Sequence, residues 1–105
     1  MYSLAVENDN ERAMHQLGKI YIYNEMYRDI SKGIKLLKQA AENDYSPAQF
    51  ELAMCFYSGI GVHKDKGEAL QWLQRADDLQ DEQAHDFLQK HLRFGRLMGF
   101  YKSHN

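Results

Sequence analysis

The feature that most narrows what this chain can fold into is an internal repeat of about 35 residues. Ala5-Val6-Glu7-Asn8-Asp9, followed by Ala13 and Leu17, returns as Ala40-Ala41-Glu42-Asn43-Asp44, followed by Ala48 and Leu52, each pair 35 positions apart. Tyr21 and Phe56 continue that register. A further 36 positions on, Ala76, Ala84, Leu88 and Leu92 answer Ala40, Ala48, Leu52 and Phe56. The other half of the unit also repeats, with Asp29, Gly33, Leu36 and Ala40 mapping onto Asp65, Ala69, Trp72 and Ala76 at a spacing of 36. Self-similarity at such a period belongs to repeat architectures, in which one unit cannot bury its apolar face alone and neighbours must stack.

Spacing within the unit is helical. Ala13, Leu17 and Tyr21 are four apart, as are Ala48, Leu52 and Phe56, so each trio lies on one helix face, here assigned to the core. Ala69, Trp72, Leu73 and Ala76 keep the same rhythm. Ser46-Pro47-Ala48-Gln49 reads as an N-cap, a first-turn proline and a glutamine completing a capping box, and Asp65-Lys66-Gly67-Glu68 reads likewise. Gly59-Ile60-Gly61-Val62 breaks the chain between helices. These signals predict helices over roughly 11–24, 30–43, 47–58, 66–79 and 82–94, with residues 2–8 as the last turns of an earlier helix. The division is a partial unit 1–9, repeats 10–45 and 46–80, and a partial third unit 81–105. The fold class is all-α, a stack of antiparallel helix hairpins.

The order of the conserved-type positions resembles the Sel-one-like repeat, a relative of the tetratricopeptide repeat. The second unit carries most of the pattern: Ala40-Ala41-Glu42, Ala48, Leu52, Phe56-Tyr57, Gly59-Ile60-Gly61-Val62, Asp65, Ala69 and Trp72. The first unit keeps Leu17-Gly18 and Tyr21 but has Asn24-Glu25-Met26-Tyr27 in place of the glycine loop, and the third has Gln89 where a glycine belongs. The resemblance covers about residues 5–94. It implies a right-handed α/α superhelix (solenoid) and a role in scaffolding, signalling and complex assembly. Fold alone does not set function.

Composition supports a folded protein with no strong field. Of 105 residues, 44% are hydrophobic and 27% charged, and 13 basic against 15 acidic side chains leave a net charge of −2. Nucleic acid and anionic membrane are therefore not expected as partners. The N-terminal residues have no basic segment or long apolar run, so no signal peptide or membrane span is expected, and the cytoplasm is the expected location.

Residues with catalytic or metal-binding potential do not converge. His15, His63, His85, His91 and His104 form no zinc-type spacing and are assigned to the surface. The single cysteine, Cys55, lies inside a predicted helix and reads as a buried or half-buried thiol. The Gly59–Val62 loop lacks the Lys-Ser/Thr of a phosphate loop. Asp77, Asp78, Asp81 and Glu82 lack calcium-loop spacing. No enzyme activity, metal or cofactor is expected.

A protein or peptide partner is the expected ligand. In helix-hairpin superhelices the first helix of each unit lines the concave side. That places Arg12, His15, Lys19, Ile22 and Tyr23 of the first unit in the groove, with Phe50, Met54 and Tyr57 of the second and Asp86, Lys90, Arg93 and Phe94 of the third. Phe50, Met54 and Tyr57 have two readings: an aromatic- and methionine-rich interface, or one side of a central helix that is apolar all round. From Asp65 to Asp86 there are seven acids and two bases, whereas Lys90, Arg93, Arg96 and Lys102 follow without an acid. That basic end either steers an acidic partner or complements the helix dipole. The apolar stretch Leu97-Met98-Gly99-Phe100-Tyr101 is expected to cap the last hairpin or to pair with a partner or second copy. A narrower alternative role is a small immunity or inhibitor protein for one cognate toxin or enzyme.

Overall fold

The computed structural model describes residues 2–97, and of their side chains those of residues 10–91. Five helices follow one another: α1 (Tyr2–Tyr23), α2 (Ile30–Glu42), α3 (Ser46–Ser58), α4 (Lys66–Asp78) and α5 (Glu82–Leu97). Sequential helices pack as α1 on α2, α2 on α3, α3 on α4 and α4 on α5. Rings on α3 also meet rings on α5. The first helices α1, α3 and α5 thus form one layer and the second helices α2 and α4 the other.

Local chemistry sets most boundaries. Asp29 and Asp65 cap α2 and α4, each accepting from the backbone N–H three residues on, Lys32 at 3.3 Å and Glu68 at 3.0 Å. After α3, Gly59 is left-handed at φ 75° and its N–H donates to the Cys55 carbonyl. Gly61 is also left-handed at φ 73°, and a Cβ there would come within 2.5 Å of Ile30 and 2.8 Å of Ile34. In the first hairpin the Asn24 side chain does the work of the missing glycines, accepting from the N–H groups of Met26 and Tyr27.

Three local expectations need correction. α1 runs unbroken from Tyr2, so residues 2–8 are not the end of a separate helix. Arg12 stands where the second unit has Pro47, so no ring obstructs the backbone at that turn. The N-cap of α3 is Tyr45, with no side-chain cap bond, and Ser46 is already helical. Gln49 does not reach back to complete a capping box. It is fully buried and its amide donates to the Ala41 carbonyl at 2.9 Å, tying α3 to the end of α2.

The core runs the length of the stack: Ile34, Leu37, Ala40 and Ala41 from α2, Ala48, Leu52, Ala53 and Cys55 from α3, Ala69, Trp72, Leu73 and Ala76 from α4, and Ala84 and Leu88 from α5. α1 contributes differently from expectation. Ala13 is exposed and Leu17 is 43% exposed, whereas His15, Gly18 and Ile22 are buried. Positions 13 and 17 correspond to Ala48 and Leu52, which are both fully buried in the second unit.

Candidate protein-binding face

The twelve residues assigned to the groove divide into those that line a surface and those that do not. His15 and Ile22 are buried and belong to the packing, which corrects both their groove assignment and the surface assignment of His15. The reason is directional. Their side of α1 looks toward the rest of the stack, so His15 meets Tyr45 at the start of α3, ring centroids 5.7 Å apart, and Ile22 lies against Gly33 of α2. Arg12 and Tyr23 are exposed, as are Asp86 and Lys90, while Lys19, Phe50, Met54 and Tyr57 are half-buried. The side chains of Arg93 and Phe94 lie outside the described residues, as does the segment 98–101.

Phe50 and Tyr57 are brought together by a residue that register alone did not indicate. Phe87 of α5 sits between them, edge-on to Tyr57 at 5.2 Å and to Phe50 at 6.5 Å. His91 stacks on Phe87 at 4.0 Å, nearly parallel, and meets Tyr57 edge-on at 5.8 Å. Lys66 lies over the Tyr57 ring, 5.2 Å from its centroid. By repeat register the equivalent of Phe50 is Asp86. The side of α3 that looks forward and the side of α5 that looks back are different sides of the unit, so equivalent positions cannot meet. The available signal was Phe87 and His91 themselves, two rings four residues apart on one helix face.

Toward α1 the same layer is polar. Glu51 faces Lys19, and its carboxyl is raised by burial, with Lys19 opposing the rise. Tyr23 lies near Cys55 and Glu51, and burial followed by those two groups raises its phenol. Cys55 is buried as expected, and burial, with Glu51, pushes its thiol up to about 11. It therefore stays protonated at neutral pH and is a poor nucleophile. The depression at the α4–α5 turn is lined by Asp77, Asp81, Glu82 and His85, with His85 Nδ1 2.9 Å from Asp77. Among the described residues no three His, Cys, Asp or Glu side chains are grouped to hold a metal ion, and no helix is long and apolar enough to cross a membrane.

His15 carries a pH-dependent consequence. Burial, reinforced by Lys19, lowers its pKa from 6.5 to about 4. The folded state therefore holds it neutral where the unfolded chain binds a proton. Stability is full above about pH 6.5 and falls as the pH drops toward 4, by about 1–3 kcal/mol from this group. Glu51 and Asp81, both raised, act in the opposite sense. The measurement is therefore a difference: between pH 7 and 4.5 the melting temperature of the native chain should fall further than that of His15→Phe. Parallel pH curves for the two would show that His15 is hydrated in the folded state.

Repeat length, the hairpin order and the Gly59–Gly61 loop converge on one family, and the Sel1 repeat pattern matches residues 11–45 and 46–81, more than half of the chain. The chain belongs to the Sel1 repeat family. It is 30% identical over 84 residues to DAP3-binding cell death enhancer 1 of Rattus norvegicus and, equally, of Mus musculus. That alignment covers 80% of this chain and 16% of each relative, so the chain spans about a sixth of their length. Among solved structures, a Sel1 repeat protein from Oxalobacter formigenes superposes with a TM-score of 0.66 at 25% identity, over 71% of this chain and 31% of that one. Sel1 repeat proteins generally act as protein-interaction modules.

Proposed function

We propose that this chain is a protein-interaction module that holds a peptide or protein surface on the layer formed by α1, α3 and α5. The observation that carries the reading is the ring cluster of Phe50, Tyr57, Phe87 and His91, half-buried at its base and open at His91. Aromatic groups held rigid by their neighbours lose little entropy on binding and are enriched among interface hot spots. Met54 lies on the same helix and adds an adaptable apolar contact, and Lys90 and Asp86 supply a charged rim. The relatives' name assigns them a protein partner, which agrees with a protein as the ligand class here.

A photo-crosslinking amino acid at position 54 should capture one discrete partner, whereas the same group at Gln71, exposed on α4, should not. With that partner purified, His91→Ala should weaken binding about fivefold and Tyr57→Ala about thirtyfold or more, the hot-spot range near 2 kcal/mol. Helix content should remain native in both. Equal capture from positions 54 and 71, or affinities untouched by both substitutions, would remove the ring cluster from the binding face.

A further inference from the structure

Seven large apolar side chains are exposed among the described residues, and five of them, Leu17, Ile20, Tyr23, Met26 and Tyr27, fall within eleven positions. Repeat register explains why this edge differs from the rest. Leu17 is 43% and Ile20 42% exposed, while the residues 35 positions on, Leu52 and Cys55, are both at 0%. Tyr27 is exposed, while its counterpart Val62 is partly buried against the core. Met26 corresponds to Gly61, onto which Ile30 and Ile34 of α2 close. Along this line the second unit is covered by α2 at Gly61, while Tyr23 of α1 lies near Cys55. The same surface on the first unit stands open, beside a depression of about 330 Å³ lined by Gln16, Lys19, Ile20, Tyr23 and Asn24.

We propose that this edge of α1 and its following loop is a second docking surface, and that its occupant is an amphipathic helix of a partner protein. That helix would carry branched apolar and small residues at the spacing of Ile30, Ile34 and Ala41, because Ile30 and Ile34 close onto Gly61 and the Ala41 carbonyl accepts from Gln49 of α3. Among the described residues of a second copy, both helices of the second-helix layer are already engaged, α2 between α1 and α3 and α4 between α3 and α5. Continuity with the stack selects the geometry: a helix seated here would extend the second-helix layer by one member, in the arrangement the chain already uses twice. The surface is separate from the Phe87–His91 cluster and does not depend on it.

The probe is the chain's own covering helix, a hydrocarbon-stapled, fluorescein-labelled peptide of residues 29–44, titrated into the full chain by fluorescence anisotropy. Saturable binding is expected. Leu17→Glu should weaken it at least about tenfold, equivalent to about 1.4 kcal/mol, while circular dichroism stays native because Leu17 is exposed. A peptide with Ile30→Asp and Ile34→Asp should not bind. Absence of saturable binding would overturn the proposal. So would binding that survives Leu17→Glu, since the peptide would then be displacing α2 from its own place. Sedimentation of the free chain supplies the remaining arm: a dimer dissolved by Leu17→Glu would assign the edge to a second copy instead.

Discussion

Gly33→Val is expected to destabilise the chain by about 3 kcal/mol or more, enough to remove much of the stability of a small domain. A Cβ at position 33 would stand 2.6 Å from the Ile22 side chain and 2.7 Å from the Gly18 carbonyl oxygen. The first contact can relax by moving a side chain. The second is backbone and can relax only by parting α1 from α2. Gly18 shows the same closeness from the other side, with the Gly33 carbonyl and Leu37 both 3.1 Å from its missing Cβ. In an exposed helix a glycine replacement would gain up to about 1 kcal/mol, so the sign itself tests the packing. Gly67 provides the control. Only the Asp65 carboxylate comes near, at 3.3 Å, and Gly67→Ala should change stability by less than about 0.5 kcal/mol. Urea unfolding followed by circular dichroism measures both, and a Gly33→Val midpoint equal to the native one would rule out so close a helix crossing.

Leu52→Ala is expected to cost about 2–5 kcal/mol and Leu17→Ala less than about 1 kcal/mol, although the two residues share one place in the repeat. Leu52 is wholly buried in the core that runs through the stack. Its truncation removes contacts on all sides and leaves a cavity. Leu17 is partly solvated already, and alanine recovers a little helix propensity. For a domain of this size the difference should appear as a fall in melting temperature of roughly 10–25 °C for Leu52→Ala and a few degrees for Leu17→Ala. Similar losses at both positions would mean that the edge of α1 is covered in solution.

Much of the architecture was legible because its causes are local. The 35- and 36-residue spacing, the aspartate caps at Asp29 and Asp65 and the paired glycines of the α3–α4 loop all act through a few neighbouring residues, and the structure places them as the spacing predicts. The expectation that Glu68 would complete a capping box goes further than the structure, in which Asp65 alone makes the cap bond. Ser46 failed as a cap for a related reason: Tyr45 already occupies that point in the chain, and its carbonyl accepts from Ala48 and Gln49. Asp44 and Gln80 take left-handed conformations, at φ 66° and 68°, at equivalent points after α2 and α4. Neither residue type demands that geometry, so composition could not announce it.

The ring cluster is only partly legible in the sequence. Phe50 and Tyr57 stand out because aromatic residues at helical spacing beside a core face are visible there. Register does not indicate Phe87 and His91, because it carries a face from one helix to the next although the facing sides differ. The same transfer puts His15 and Ile22 in the groove, whereas both are buried.

By itself the sequence determined α2 to α5, where they turn, and that they stack as hairpins, because period, caps and left-handed glycines are properties of a few residues along the chain; that α1 begins as early as Tyr2 it did not determine. Only the tertiary structure decided which apolar positions are core and which are surface. Periodicity says that Leu17 and Leu52 share a helix face. Whether that face meets another helix or water depends on the neighbour: Leu52 is wholly buried, whereas Leu17 is 43% exposed.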